Sequence, residues 1–333
     1  MKIHTLLVVG LIMFLLSSCG EKSELTSSIS PEPTARSLTP IRLPVGYIPN
    51  IQFAPLYVAI EKGFYRDAGL EVTVDYSMEN DNAVLLATNA YSFAIISGEQ
   101  VLLARDKDLP LVYVMAWYQQ FPVGIASKET LGIQTVGDLR GKKIGLPGLF
   151  GASYIGMIAL LDSAGLKESD VTLDSIGFNQ VPILMADRDD AVVVYVANEP
   201  VQLSSLGQSI HLLKVSDALE LVSNGLVTNE KTLSENPMLV KAMVSATLKG
   251  INYTIANPDE AYEISKKYVE NLAAADQNIQ KQILLNSIDQ WKSDRMGYSQ
   301  PVSWENMQRI LIKMGLLQKK SVVTASYTNE FIP

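Results

Sequence analysis

Five short segments of the 333-residue chain bring together aromatic rings and amide, hydroxyl or carboxyl groups. Aromatic rings stack on flat apolar faces, and the polar groups donate or accept hydrogen bonds at a ligand's edge. This combination favours the binding of a flat heterocycle with a polar rim. The candidate ligand-binding residues are Tyr47, Asn50, Gln52, Phe53, Ser97, Trp117, Tyr118, Phe150, Ser153, Tyr154, Tyr195, Asn198 and Glu199.

Each of these segments follows a predicted strand, at the edge where open α/β sheets place their ligands. Several of the residues have a purely structural alternative. Phe53 and Tyr57 would pack beneath a helix that Asn50 caps. Ser97 begins a turn whose backbone N–H groups suit a carbonyl or anionic oxygen, or which only joins a strand to a helix. In the last segment, Asn198 has the alternative of capping a helix beside an exposed carboxylate.

Composition argues against an enzyme. Apart from His4 near the N-terminus the chain has one histidine, His211, and its only cysteine is Cys19, so histidine-rich and cysteine-rich metal sites are excluded by count. The glycine-rich run 145–154 lacks the Gly-Lys-Ser/Thr of a phosphate-binding loop. The formal net charge of −8 disfavours nucleic-acid binding. We therefore expect no catalytic residues, no cofactor, no metal ion and no nucleic-acid partner.

The elements that must position these residues alternate between strand and helix. Strands are predicted at 41–47, 70–74, 92–97 and 111–116, with helices at 53–62 and 81–90 between them. Such alternation predicts an α/β fold with mostly parallel sheets flanked by helices. After a return strand at 226–228, helices are predicted at 237–256, 259–271, 278–291 and 304–314.

Two α/β lobes account for this pattern with the fewest assumptions. Lobe I comprises residues 41–126 and 225–333, and lobe II comprises residues 127–224. The chain crosses twice between the lobes, and two crossings make a hinge. A cleft between hinged lobes is a common site for enclosing a small molecule.

The N-terminus has the pattern of a bacterial lipoprotein signal. Lys2 precedes an apolar run at 6–16, and small residues stand before Cys19. Residues 1–18 are then a signal peptide, and Cys19 is the lipidated first residue of the mature protein. An ordinary secretory signal or a short membrane anchor is the alternative, although the run is shorter than the roughly 20 residues of a spanning helix. Residues 19–40, rich in Ser, Thr, Pro and Glu, are predicted to be a flexible linker.

Longer motifs place the chain near a known family. The runs 47–72, 135–148 and 195–200, with the spacing from Trp291 to Trp304, resemble substrate-binding lipoproteins of ABC importers. The branch is the one related to thiamine-pyrimidine synthases. The resemblance implies a type II periplasmic-binding-protein-like fold, a lipid anchor on the extracytoplasmic face of the membrane, an ABC permease as partner and a monomeric state.

Within that branch, the opening Tyr-x-Pro-Asn-x-Gln-Phe at 47–53 resembles riboflavin-binding proteins. Binding proteins for thiamine-pyrimidine precursors more often carry a tryptophan at the first position and a nearby histidine, and the synthases use a cysteine-rich motif. The resemblance therefore favours riboflavin, with a pyrimidine precursor as the alternative and an enzyme as the third possibility. By resemblance, Tyr47, Asn50, the loop 148–154, Tyr195 and Glu199 occupy the family's ligand-binding positions.

Overall fold

Two five-stranded sheets form the framework of residues 37–318 and 323–333, the part of the chain described in a computed structural model. The strands are β1 (Thr39–Gly46), β2 (Leu70–Ser77), β3 (Ala94–Ser97), β4 (Leu111–Ala116), β5 (Val123–Lys128), β6 (Lys143–Leu146), β7 (Thr172–Ser175), β8 (Ala191–Tyr195), β9 (Ile210–Lys214) and β10 (Asn224–Asn229). The first sheet has the order β2-β1-β3-β10-β4, and the second has the order β7-β6-β8-β5-β9.

In each sheet one strand runs against the other four. β1 pairs in parallel with β2 and β3, whereas β10 is antiparallel to β3 and β4. In the second sheet β6 is parallel to β7 and β8, and β5 is antiparallel to β8 and β9. The reversed strand is in both sheets the one that the chain enters after crossing from the other sheet. The predicted α/β fold with mostly parallel sheets is confirmed.

Helices join the strands and make up most of the C-terminal region. They are α1 (Ala54–Glu61), α2 (Phe64–Asp67), α3 (Glu79–Ala87), α4 (Gly98–Asp106), α5 (Gly151–Ser163), α6 (Gln180–Met185), α7 (Glu199–Ser205), α8 (Val215–Ala218), α9 (Glu230–Glu235), α10 (Pro237–Ala256), α11 (Pro258–Ser265), α12 (Gln277–Trp291) and α13 (Pro301–Lys313). Proline begins α10, α11 and α13, where its missing N–H has no helical partner to lose. The helix predicted at 259–271 ends earlier, at Ser265.

The apolar core has two main parts. In one of them, α1, α10 and α12 pack on the first sheet, where Leu43, Tyr57 and Trp291 are fully buried. The other continues from the first sheet into the second and contains both Tyr113 and Val123. Because this cluster includes side chains of both sheets, the two sheets share a core beside the crossings.

Two of the predicted boundaries need correction. The boundary between residues 126 and 127 falls inside β5, whose residues pair with β8 and β9 of the second sheet. Residues 123–126 therefore belong with lobe II rather than lobe I. The predicted linker 19–40 overlaps β1, because Thr39 and Pro40 already pair with Leu70 and Glu71. Residues 1–36 lie outside the described part of the chain.

Gly225 offers a test of the packing at the second crossing. A Cβ at this position would overlap the Tyr113 ring and the Met115 carbonyl. We predict that Gly225→Ala lowers the free energy of unfolding by about 1–3 kcal/mol, because overpacking forces the neighbours to move. Urea unfolding followed by circular dichroism measures this change. Gly137→Ala is the control, since its Cβ would meet only Thr135 Oγ1 at 3.5 Å; equal stability of the two variants would contradict the described packing.

Candidate functional site

A cavity of about 240 Å³ lies between the two sheets, at the ends of several strands. Its wall includes residues at or just after the ends of β1, β3, β4, β6, β7 and β8. The lining residues are Gly46, Tyr47, Gln52, Phe53, Met78, Glu79, Asn80, Ile95, Ser97, Gln100, Trp117, Tyr118, Pro147, Phe150, Gly151, Ala152, Ser153, Gly177, Phe178, Gln180, Tyr195, Asn198, Glu199 and Asn224. Both sheets thus contribute to one enclosed space.

Seven of the lining residues are aromatic. Tyr47, which follows β1, meets Phe178, which follows β7, edge to face with ring centroids 4.9 Å apart. Deeper in the cavity Tyr118 and Tyr195 approach in the same way at 6.5 Å. Both pairs join one sheet's side of the cavity to the other's. Apolar ring faces therefore bound the space from two sides.

Tyr47 has an unusual backbone conformation. Its φ of 94° lies in the region that residues with a side chain rarely adopt. Strain of this kind persists where the surrounding structure holds it, and it is frequent at binding sites. Here it accompanies the turn that places the Tyr47 ring against Phe178 at the edge of the cavity.

Two buried donors in the cavity wall have no hydrogen-bond partner within the described residues. Gln52 is 5% exposed, and its Oε1 accepts a hydrogen bond from the Tyr118 hydroxyl at 3.2 Å. The other end of the same amide, Nε2, has no acceptor within the described residues. Trp117 is 1% exposed, and its Nε1 is also without an acceptor. A buried donor without an acceptor costs about 1–3 kcal/mol.

A hydrogen-bond network crosses the cavity floor. Glu79 Oε2 accepts hydrogen bonds from Ser97 Oγ at 2.7 Å and from Ser97 N at 3.3 Å. Asn224 Nδ2 donates to Glu79 Oε1 and to Ser97 Oγ, both at 3.0 Å. The Tyr195 hydroxyl, from the second sheet, donates to Asn224 Oδ1 at 3.3 Å. Gly46 makes room for this arrangement, because a Cβ there would overlap the Glu79 side chain.

Three carboxyl groups in or behind the cavity wall have raised pKa values. Burial raises the pKa of Glu79, and burial together with the Glu79 charge raises the pKa of Glu99 to about 8. Burial also raises the pKa of Glu199 to about 7. Glu199 accepts hydrogen bonds from Tyr195 N at 2.9 Å and from Asn198 Nδ2 at 3.2 Å. No cation contributes to any of the three shifts, so these carboxyls rely on neutral hydrogen-bond donors.

The glycine-rich segment between β6 and α5 forms the other wall. Phe150 lies against Gly148, whose missing side chain leaves space for the ring. Gly151 has a φ of 67° and begins α5, so a residue with a Cβ would be strained there. Phe150 and Phe178 are each 50% exposed, and both line the cavity. They place apolar surface at its solvent-facing side.

Eleven of the thirteen candidate residues line the cavity, and their role in binding stays a prediction. Asn50 is not among them: its Oδ1 accepts from Gln52 N at 3.0 Å and caps the short helical turn 51–53. Tyr154 is also absent, because its hydroxyl donates to Glu168 at 2.7 Å on the outer side of α5. The predicted lipidation site, Cys19, lies outside the described residues.

Sequence reasoning missed Glu79, Phe178 and Asn224. Glu79 begins α3 directly after β2, and Phe178 follows β7, so the same strand-end rule would have found both. Asn224 is the first residue of β10, at the beginning rather than the end of a strand. It reaches the cavity because β10 runs antiparallel to its neighbours.

Within residues 37–318 and 323–333, no three His, Cys, Asp or Glu side chains are grouped closely enough to hold a metal ion. In the same residues no helix has both the length and the apolar character needed to cross a membrane.

Two linked α/β sheets with a cavity between their strand ends define a two-lobed binding protein of the periplasmic type. The chain belongs to the NMT1/THI5-like family, whose model matches residues 50–261. The resemblance recognised in the sequence is thereby confirmed.

Individual relatives agree with this assignment. The riboflavin-binding protein RibY of Chloroflexus aurantiacus is 37% identical over 346 residues, an alignment that covers 100% of this chain and 99% of the relative. The formylaminopyrimidine-binding protein of Halalkalibacterium halodurans is 28% identical over 271 residues, covering 79% of this chain and 78% of the relative. The periplasmic aliphatic sulphonate-binding protein SsuA of Escherichia coli has the same fold, with a TM-score of 0.71 at 14% identity over 86% of this chain and 97% of its own.

The raised carboxyl pKa values predict a pH-dependent stability. Between about pH 4.5, the ordinary pKa of a glutamate, and about pH 8, folded Glu99 keeps a proton that the unfolded chain has lost. Unfolding then releases protons, so the free energy of unfolding falls as the pH rises, by at most about 1.4 kcal/mol per pH unit for one group. We predict that Glu99→Gln flattens this fall between pH 5 and pH 8. Glu79, Tyr113 and Tyr195 are the titratable groups that interact with Glu99.

Urea unfolding at a series of pH values measures the effect. Glu129→Gln serves as the control, because it removes one exposed carboxylate away from the cavity wall. A pH profile of Glu99→Gln that coincides with those of the parent protein and Glu129→Gln would rule out a protonated Glu99 in the folded state.

Proposed function

We propose that this protein is the extracytoplasmic substrate-binding component of an ABC importer and that it binds riboflavin in the cavity between its sheets. The observation that carries the proposal is the cavity itself, with aromatic rings on both sides and the polar side chains of Gln52, Ser97 and Asn198 in its lining. The full-length similarity to a riboflavin-binding protein supports the choice of ligand.

The chemistry of riboflavin suits this lining. Its isoalloxazine ring is flat, with apolar faces and an imide edge that presents carbonyl oxygens and an N–H group. Aromatic contacts contribute about 0.5–1.5 kcal/mol per pair beyond the burial of area. Among the lining residues, Gln52 and Trp117 carry N–H groups of the kind that pair with carbonyl oxygens, and Glu79, Asn198 and Glu199 carry oxygens of the kind that accept from N–H or hydroxyl groups.

A pyrimidine precursor of thiamine is the second candidate ligand. The similarity to the formylaminopyrimidine-binding protein favours it. A single ring has a smaller face area to offer to aromatic residues that lie on opposite sides of the cavity, so it would use the lining less completely. The two ligands are separated by competition, because a pyrimidine that occupied the same cavity would displace riboflavin.

We also propose that the protein binds its ligand without converting it. In the described residues the cavity lining contains no histidine and no cysteine, and the matched relatives named above are binding proteins. After prolonged incubation, chromatography is expected to recover riboflavin unchanged. Accumulation of a product that requires the protein would contradict this proposal.

Lipidation of Cys19 is the remaining part of the proposal, and it rests on the sequence pattern alone. Acylation there would hold the protein at the extracytoplasmic membrane face, close to the permease that receives the ligand. We predict that Cys19→Ala moves the protein from the membrane fraction to the soluble fraction of cells. Mass spectrometry of the N-terminal peptide is expected to show the acyl mass in the parent protein only. An unmodified Cys19 in membrane-bound protein would rule out the anchor.

Binding itself is tested by titrating the purified protein with riboflavin and following flavin fluorescence. We predict quenching on binding, and at least tenfold weaker binding for Tyr47→Ala and for Tyr195→Ala, because each removes an aromatic face and Tyr195→Ala also removes the hydrogen bond to Asn224. A tenfold loss corresponds to about 1.4 kcal/mol.

Tyr154→Ala is the matched control. It removes the same kind of side chain from a neighbouring helix, but Tyr154 does not line the cavity. Its titration curve is expected to coincide with that of the parent protein. If Tyr154→Ala weakened binding while Tyr47→Ala and Tyr195→Ala did not, the ligand site would lie elsewhere.

A further inference from the structure

The charges that line the cavity are of one sign. Among the lining residues of the described chain, Glu79 and Glu199 are the only two with a carboxyl side chain, and no lysine, arginine or histidine is present. Glu79 stands on the side of the first sheet, and Glu199 follows β8 of the second. A ligand enclosed here would therefore meet a carboxyl group from each side and no cation.

The backbone donors that could hold an anion are already used near both carboxyls. The N-terminus of α4 is a potential anion site, but Ser97 N and Ser97 Oγ donate to Glu79, and Gly98 N donates to the Ser223 carbonyl at 3.0 Å. On the other side, Tyr195 N donates to Glu199. The protein's own acceptors thus occupy the backbone donors that lie closest to Glu79 and Glu199.

A phosphate ester would be poorly compensated in this environment. A phosphate monoester carries about −1.5 to −2 charges at pH 7 and is normally bound by Arg, Lys or free N–H groups. If Glu79 and Glu199 are ionised they repel it, and if they are protonated they offer no positive charge. Burying an unpaired charge costs far more than burying an uncharged polar group.

From this charge distribution we infer that the cavity accepts an uncharged ligand and rejects the phosphate ester of the same ligand, with Glu79 as a specificity-determining residue. The inference rests on the proposed function in taking riboflavin as the uncharged ligand. It adds that riboflavin 5′-phosphate is excluded, although the two molecules share the same ring system.

Fluorescence titrations with riboflavin and with riboflavin 5′-phosphate test the inference directly. The phosphate ester is expected to bind at least a hundredfold more weakly than riboflavin at pH 7. The ratio of the two dissociation constants, phosphate ester over riboflavin, is expected to fall at least threefold in Glu79→Gln and, separately, in Glu199→Gln. Each substitution removes a carboxyl group and keeps a side chain of similar shape. Glu129→Gln, outside the cavity lining, should leave the ratio unchanged. Thermal melting of each variant establishes that it is folded.

A gain of binding provides an independent readout. Asn80 lines the cavity and is exposed, so Asn80→Lys adds a cation beside Glu79 with little burial. This variant is expected to bind riboflavin 5′-phosphate at least tenfold more tightly than the parent does, with an affinity that falls as salt is added. The ratio of the affinities for riboflavin 5′-phosphate and riboflavin, measured on the same variant, isolates the effect of the added charge. Asn278→Lys adds the same charge outside the lining and should have neither effect.

A second pair of compounds separates this inference from the proposed function. If riboflavin does not bind, the proposed ligand is wrong. In that case 4-amino-5-hydroxymethyl-2-methylpyrimidine and its phosphate test the rule that the cavity accepts an uncharged ligand and rejects its phosphate ester. Weak binding of the phosphate relative to the free pyrimidine would support the rule. Equal or tighter binding of the phosphate ester in either pair would overturn it, and so would a protein that bound none of the four compounds.

Discussion

The side chain and carbonyl of Asn224 hold together the place where the chain crosses between its two sheets. Its carbonyl accepts hydrogen bonds from Trp117 N at 3.1 Å and Tyr118 N at 3.2 Å, so the second crossing is tied to the first. Its side chain meanwhile joins Glu79 to Tyr195. Buried polar groups need hydrogen-bond partners. Because Asn224 finds its partners on both sheets, its hydrogen bonds set the distance between Glu79 and Tyr195 across the cavity floor. The aromatic walls are built on that spacing.

Contacts across the gap have a consequence for ligand capture. Tyr47 meets Phe178, and Tyr195 meets Asn224, only while the two sheets stay close together. By contrast, the backbone bonds between the crossings would survive a rotation of the sheets. A ligand that touches both sides adds contacts which exist only in the closed arrangement, and it therefore favours that arrangement in proportion to those contacts. Ligand binding and the closing of the two sheets over the ligand are then thermodynamically linked.

The strand-end rule predicted most of the residues that line the cavity, because it depends only on the direction of the strands. Its failures come from information that a sequence pattern does not contain. Ser153 faces the cavity and Tyr154 does not, since successive residues point about 100° apart around a helix and the rotation of α5 is set by packing. The Asn50 side-chain oxygen accepts from the backbone N–H of Gln52 instead of lining the cavity. Residue type alone does not decide between capping a turn and contacting a ligand.

The lobe boundary was missed for a related reason. β5 is apolar and follows a loop, so its sequence does not say which sheet it joins. The choice is made by its antiparallel pairing with β8 and β9, which are distant in sequence. Asn224 was not predicted as a cavity residue, because it stands at the beginning of β10. The reversed direction of β10 brings that beginning to the edge of the sheet where the other strands end. Both errors concern the one reversed strand of a sheet that was expected to be mostly parallel.

The lining of this cavity is suited to selection by matched hydrogen bonds more than by attraction of charge. Gln52 and Trp117 carry buried donors that lack acceptors within the described residues, and Glu199, with a pKa raised to about 7, is able either to accept or to donate near neutral pH. A site built to pair with a ligand's polar edge rejects analogues that lack the matching groups more strongly than a purely apolar pocket does, because its own groups stay unpaired. The aromatic walls supply affinity for flat rings in general. Discrimination among such rings must then come from these few polar atoms.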